Sequence, residues 1–146
     1  MKKIFYLTIL LCILIINSYT QEENSGNAEF TIEISNVVPN GGKVHLRIFL
    51  NVNELNREQP SITYILDDIN TVISHKISLQ YGEYVFGAFQ DTNGNGVMDY
   101  GALGIPKELV GVSNYFGRGL PTKIFNRQKV IINNSTEIIR FGLHKF

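Results

Sequence analysis

Tyr84-Val85-Phe86-Gly87-Ala88-Phe89 carries no charged residue, and it is apolar at both odd and even positions. Successive side chains of a strand point to opposite faces, so a run that is apolar on both faces belongs to a central strand covered on both sides. The segments around it read differently. Phe30, Ile32 and Ile34 alternate with Thr31, Glu33 and Ser35, and Val44, Leu46, Ile48 and Leu50 alternate with Lys43, His45, Arg47 and Phe49. Each is a strand with one buried face, and the turn residues Pro39-Asn40-Gly41-Gly42 between them suggest that the two pair as a hairpin.

Further strands are expected at residues 62–66 and 71–79, where Ile73, Ile77 and Leu79 share a face with His75. Residues 79–83 read as a turn, and residues 51–60 as a polar, irregular connection. Two more strand-like runs, 124–132 and 137–144, close the chain across Asn133-Asn134-Ser135. No segment keeps a helical period. About seven strands with frequent turn signals predict an all-β fold, a two-sheet antiparallel β-sandwich, with a small barrel as the alternative. A long glycine-rich excursion, residues 91–121, interrupts it before the last two strands.

The N-terminal segment reads as an export signal: Lys2-Lys3, an apolar run over residues 4–16, then Asn17-Ser18-Tyr19-Thr20 before polar Gln21-Glu22-Glu23-Asn24. As a helix that run would extend only about 20 Å, short of the roughly 30 Å of a bilayer core. Expected boundaries are a signal peptide at 1–20, a flexible leader at 21–27 and one domain at 28–146. The expected location is periplasmic, cell-envelope or secreted. The only cysteine, Cys12, lies inside the apolar run, so the mature domain has no disulfide. Without Lys2 and Lys3, 11 basic residues face 13 acidic ones with no block of like charge, which excludes a nucleic-acid-binding surface.

Chemistry concentrates in Asp91-Thr92-Asn93-Gly94-Asn95-Gly96-Val97-Met98-Asp99. Side-chain oxygens fall at positions 1, 3, 5 and 9 of this string, with a glycine at 6 that permits a sharp turn and the Val97 carbonyl free to face inward. Calcium takes such cages of six to eight hard oxygens, which makes Asp91, Asn93, Asn95, Val97 and Asp99 the candidate metal ligands and Ca²⁺ the candidate cofactor. Ala102 occupies the position where a helix-loop-helix site has a bidentate glutamate, so this is not an EF-hand. With two formal charges the expected dissociation constant is about 10⁻⁴ to 10⁻³ M. The competing reading is that Asn93-Gly94 and Asn95-Gly96 are ordinary turn dipeptides.

The loop is followed in order by Gly104-Ile105-Pro106-Lys107-Glu108, Gly111-Val112-Ser113-Asn114 and Gly119-Leu120-Pro121. With Gly42-Lys43-Val44-His45-Leu46-Arg47-Ile48-Phe49 upstream, this series resembles the bacterial exported family called domain of unknown function 2141. Gln90 stands where that family is expected to have a histidine or similar residue, and Thr122-Lys123 replaces a Ser-Phe pair. The resemblance implies an exported sandwich of transthyretin-like or carboxypeptidase-regulatory type, and no established activity.

Asp91, Asp99 and Glu108 could form the acid/base set of a hydrolase, with Ser113 as nucleophile and His45, His75 or His144 as base. No G-x-S-x-G, H-E-x-x-H or Cys/His pair connects them, so the expectation is a non-catalytic module. Tyr100, Lys107, Glu108, Asn114, Tyr115, Phe116 and Arg118 are the candidate binding residues, for an envelope or extracellular partner, protein or carbohydrate. Alternatively Ile105, Tyr115 and Phe116 fold back as a lid over the end of the sandwich.

Overall fold

The computed structural model describes residues 26–67, 70–115, 119–121 and 123–146. The expected signal peptide, most of the expected leader, Phe116 and Arg118 lie outside the described residues. The elements in chain order are β1 (Asn27–Ser35), β2 (Lys43–Phe49), α1 (Val52–Arg57), β3 (Ile62–Leu66), β4 (Val72–Gln80), β5 (Gly82–Asp91), a 3-10 turn (Ala102–Gly104), β6 (Leu109–Val112), α2 (Phe125–Gln128), β7 (Val130–Ile132) and β8 (Ile138–Gly142).

They form a β-sandwich. One sheet has three strands in the order β4-β1-β8, and the other has five, β3-β2-β5-β6 with β7 beside the first half of β5. Between them Phe30, Ile32 and Ile34 of β1, Ile73 and Ile77 of β4, and Phe141 of β8 meet Val44, Leu46, Ile48, Phe86 and Ala88 in one core. Phe30 and Phe86 meet edge to face across it, ring centroids 6.0 Å apart. The alternation in β1 and β2 is therefore the core-facing alternation, as expected from the sequence.

The pairing differs from the expected hairpin. β1 runs antiparallel to β4 and parallel to β8, whereas β2 pairs with β3 and β5 in the opposite sheet. Both segments bury one face, and that pattern is met equally by strands side by side or by strands facing each other across the core. Here residues 36–42 cross from one sheet to the other. Gly42 makes the crossing possible: its φ is +105°, and a Cβ there would lie 2.0 Å from the Asp91 carbonyl oxygen. The parallel β1–β8 pair also makes the smaller sheet mixed rather than purely antiparallel.

Two further expectations are corrected. Residues 79–83 are no turn, because β4 and β5 run almost continuously and change sheets at Tyr81, whose N–H donates to the Gly26 carbonyl. Of residues 124–132 only Val130–Ile132 is strand; Phe125–Gln128 is a short helix, placing Phe125 against Phe49 and Val85. One edge of the sandwich is stitched as in a barrel: the backbones of Val110 and His144 exchange hydrogen bonds of 3.0 and 2.8 Å. Gly111 permits that approach, since a Cβ there would sit 2.3 Å from the Gly142 carbonyl oxygen. Among the described strands no ladder joins β3 to β4 at the other edge.

A helix forms within residues 51–60 because its first turn is capped. The Asn51 Oδ1 accepts from the N–H groups of Asn53 and Glu54, and the Glu54 carboxylate reaches back to the Leu50 N–H and the Asn51 side-chain amide. This reciprocal arrangement satisfies N–H groups with no partner inside the helix. Asn51→Ala is expected to lower stability by about 1 kcal/mol, read as a lower urea midpoint at unchanged slope.

Candidate functional site

β5 ends on Asp91, and the loop after it is organised by that residue. The Asp91 side chain is only 4 % exposed. Its Oδ1 accepts from the N–H groups of Gly94 (2.8 Å) and Asn95 (3.2 Å), and its Oδ2 from Gly96 N–H at 2.8 Å. Positive φ at Gly94 and Gly96, +74° and +79°, curls the backbone so that these donors point inward. Burial alone would raise the Asp91 pKa, but the amides of Gly96, Gly94 and Asn95, with His45 3.6 Å away, outweigh it and hold the carboxyl below its ordinary range.

The remaining oxygen-bearing side chains converge. The amide nitrogens of Asn93 and Asn95 lie 2.6 and 2.9 Å from the same oxygen, Asp99 Oδ2. Their own Oδ1 atoms cap the turn, accepting from Asn95 and Val97 N–H respectively. Glu108, 2 % exposed, braces both ends of the loop, its oxygens accepting from Thr92 N–H (3.2 Å) and Asp99 N–H (3.3 Å). This corrects its assignment to an exposed binding surface, since both carboxylate oxygens face the loop backbone. Among the described residues no three His, Cys, Asp or Glu side chains group as a metal site.

The rest of the excursion divides in two. Its tip, residues 100–106, is a small hairpin closed by the Tyr100–Pro106 bridge, with Leu103 95 % exposed. Lys107 joins the loop through its backbone, N–H to the Asp99 carbonyl and C=O to Lys145 Nζ. The base of the excursion packs down: Tyr115 sits against the cluster of Phe49, Leu55, Val85 and Val112, and its hydroxyl donates to the Gly119 carbonyl, whereas Ile105, the second residue of the expected lid, is exposed on the tip and Phe116 lies outside the described residues. Asn114, at φ +54°, is bound through its amide to the Lys129 carbonyl and serves the turn.

Of the hydrolase candidates, Asp91, Asp99, Glu108 and His45 meet at the loop, whereas Ser113 is held beside Phe86 and Gln128. The buried Ser113 hydroxyl donates to the Gln128 carbonyl (2.7 Å) and accepts from Phe86 N–H (3.0 Å). His45 stacks on Phe89 beside Asp91, His75 lies against Tyr64 on β4, and His144 follows β8 near Tyr115 and Phe146.

The structure also forms a cleft that the sequence reading did not find. Between the outer face of the five-stranded sheet and the excursion lies a space of about 200 Å³, walled by Phe49, Leu55, Phe89, Met98, Val112 and Leu120. Arg47 projects from the middle of β2 into this wall, its guanidinium carbon 5.5 and 5.8 Å from the ring centroids of Phe49 and Phe89. Glu58 closes the rim, accepting from the Tyr100 hydroxyl at 2.6 Å and pairing with Lys123, while its backbone carbonyl accepts from Arg47. Burial and the Glu58 hydrogen bond push the Tyr100 phenol well above its ordinary pKa. The available signal was Arg47 within an apolar alternation, opposite a glycine in a neighbouring strand. Reading it required the β2–β5 register, which pairs Arg47 with Gly87.

No curated protein and no solved structure matches this chain. The family model that corresponds to the motif series read along the sequence matches residues 32–140. The chain therefore belongs to the family described as an uncharacterized protein conserved in bacteria, DUF2141.

Proposed function

We propose that this chain is an exported, non-catalytic sandwich module. Its loop of residues 91–99 takes up calcium weakly and thereby stiffens residues 101–121 as a surface for an envelope or extracellular partner, protein or carbohydrate. The observation that carries the reading is the convergence of Asn93, Asn95 and Asp99 on one point. Rotating each asparagine amide by half a turn would bring its oxygen to that point, beside the Asp99 carboxylate. Asp91 keeps acceptor capacity on Oδ2, since a carboxylate has about four lone-pair sites and three are spent on amides. Turning the asparagines forfeits the two capping bonds to Asn95 and Val97, which is one physical reason for low affinity.

The non-catalytic half is supported by the Ser113 hydroxyl being spent on backbone groups, and by His45, His75 and His144 lying on separate elements. Export rests on the N-terminal residues alone. At millimolar calcium such a site contributes about 0.5 to 2 kcal/mol. The midpoint of thermal unfolding is therefore expected to rise by about 2 to 6 °C between EDTA and 5 mM calcium chloride, with no rise in Asp99→Ala. An unchanged midpoint in the unaltered protein would leave residues 93–96 as turn chemistry alone.

A further inference from the structure

The outer cleft holds a cation whose counter-charge is engaged elsewhere. Arg47 sits between two aromatic rings on a sheet face, in a wall that is mainly apolar. A guanidinium has five N–H donors, and among the described residues one partner is seen, the Glu58 backbone carbonyl. The Glu58 carboxylate acts on Arg47 only through space, and its direct contacts are with the Tyr100 hydroxyl and Lys123. No carboxylate among the described residues is in ion-pair contact with Arg47. A half-buried guanidinium with free donors beside an apolar space is a place where an anion is strongly stabilised, because water competes poorly for the charge there.

The shape of the space narrows the ligand. Gly87 lies directly across from Arg47 and keeps the floor open; a Cβ at that position would lie 3.4 Å from the Phe49 ring. An apolar cavity of about 150 Å³ accommodates benzene. The cleft, at about 200 Å³, has room for such a ring and a small polar group. A planar carboxylate matches the guanidinium fork through two parallel hydrogen bonds; at the rim Lys123 is paired with Glu58, which leaves Arg47 as the net positive charge of the cleft.

We propose that this cleft binds a small carboxylate with an apolar body, about the size of benzoate, its carboxylate on Arg47 and its body against Phe49, Phe89 and Val112. None of the candidate calcium ligands lines the cleft, although Met98 and Tyr100 on either side of Asp99 do.

Titration calorimetry of the protein with benzoate in EDTA tests it, with benzamide as the uncharged probe of the same shape. Benzoate is expected to bind at least about tenfold more tightly than benzamide, because a charge-assisted bidentate contact is lost in the amide. Arg47→Met keeps an apolar stem and is expected to abolish that preference. Equal affinity for the two probes, or an unchanged preference in a folded Arg47→Met, would each overturn the proposal. If Arg47→Met does not fold, the benzoate and benzamide comparison on the unaltered protein decides. The titration is repeated in 5 mM calcium chloride, and absence of benzoate binding at 10 mM in both conditions overturns the proposal, which keeps failure here distinct from failure of the calcium site.

Discussion

Replacing Gln90 by leucine is expected to destabilise the protein by about 2 to 4 kcal/mol, with a fall in the thermal midpoint on the order of 10 °C. Gln90 is fully buried near the end of β5, on the same side as Phe86 and Ala88. Its Oε1 accepts from the Val38 N–H (3.0 Å), and its Nε2 donates to the carbonyls of Val38 (2.8 Å) and Gly42 (3.0 Å). One side chain thus holds both ends of the crossover that carries the chain from β1 to β2. Leucine is apolar and of broadly similar size, but it leaves the Val38 N–H and the Gly42 carbonyl without a partner, while the Val38 carbonyl keeps only the Gly41 N–H, and that penalty exceeds the gain from burying another apolar group. Urea unfolding checks this directly. A loss below 1 kcal/mol would mean that water replaces the amide and that the crossover does not depend on it.

The second large effect concerns Asp91 and carries a pH signature. Asp91→Asn is expected to cost about 2 to 3 kcal/mol at pH 7, because an amide offers one acceptor oxygen where the carboxylate offers two to Gly94, Asn95 and Gly96. Burial works against the charged form, but the three amides and His45 outweigh it, so the folded pKa lies below the unfolded value of about 3.9. A depressed pKa contributes stability that is complete above the unfolded pKa and lost as pH falls through the folded one. The difference between wild type and Asp91→Asn is therefore expected to be steady from pH 7 to about pH 5 and to shrink below about pH 4. Denaturant midpoints measured across that range decide it. A difference that stays constant down to pH 3 would show that the charge of Asp91 does not organise the loop.

Both effects act at one end of the sandwich, where β5 delivers neighbouring residues to opposite tasks. Gln90 faces inward and ties the crossover; Asp91 faces outward and shapes the loop. Gly42 lies between them, its carbonyl bound by Gln90 and its α-carbon held against the Asp91 carbonyl. Order in the loop is thus coupled through contact to order in the crossover. That gives a physical route by which an ion or ligand at the loop would stiffen the whole end of the domain. The loop's other brace, Glu108, enters β6 and so connects the same end to the sheet edge.

Hydropathy by itself determined the frame. The period of two in β1 and β2 states which side chains are buried, and the doubly apolar run in β5 states that this strand is covered on both faces; both are local consequences of strand geometry. The Asp91 loop was equally legible, because its glycines and side-chain oxygens act on residues only a few positions away. What the tertiary structure decided is everything that depends on which strands are neighbours. A buried face is satisfied by any partner across or beside it, so alternation cannot distinguish a β1–β2 hairpin from the crossover, nor anticipate the parallel β1–β8 pair. Glu108 reads as a surface carboxylate until the loop folds over it. The Arg47 cleft exists only because register sets an arginine opposite Gly87 and brings Glu58, Tyr100 and Lys123 from distant segments to its rim.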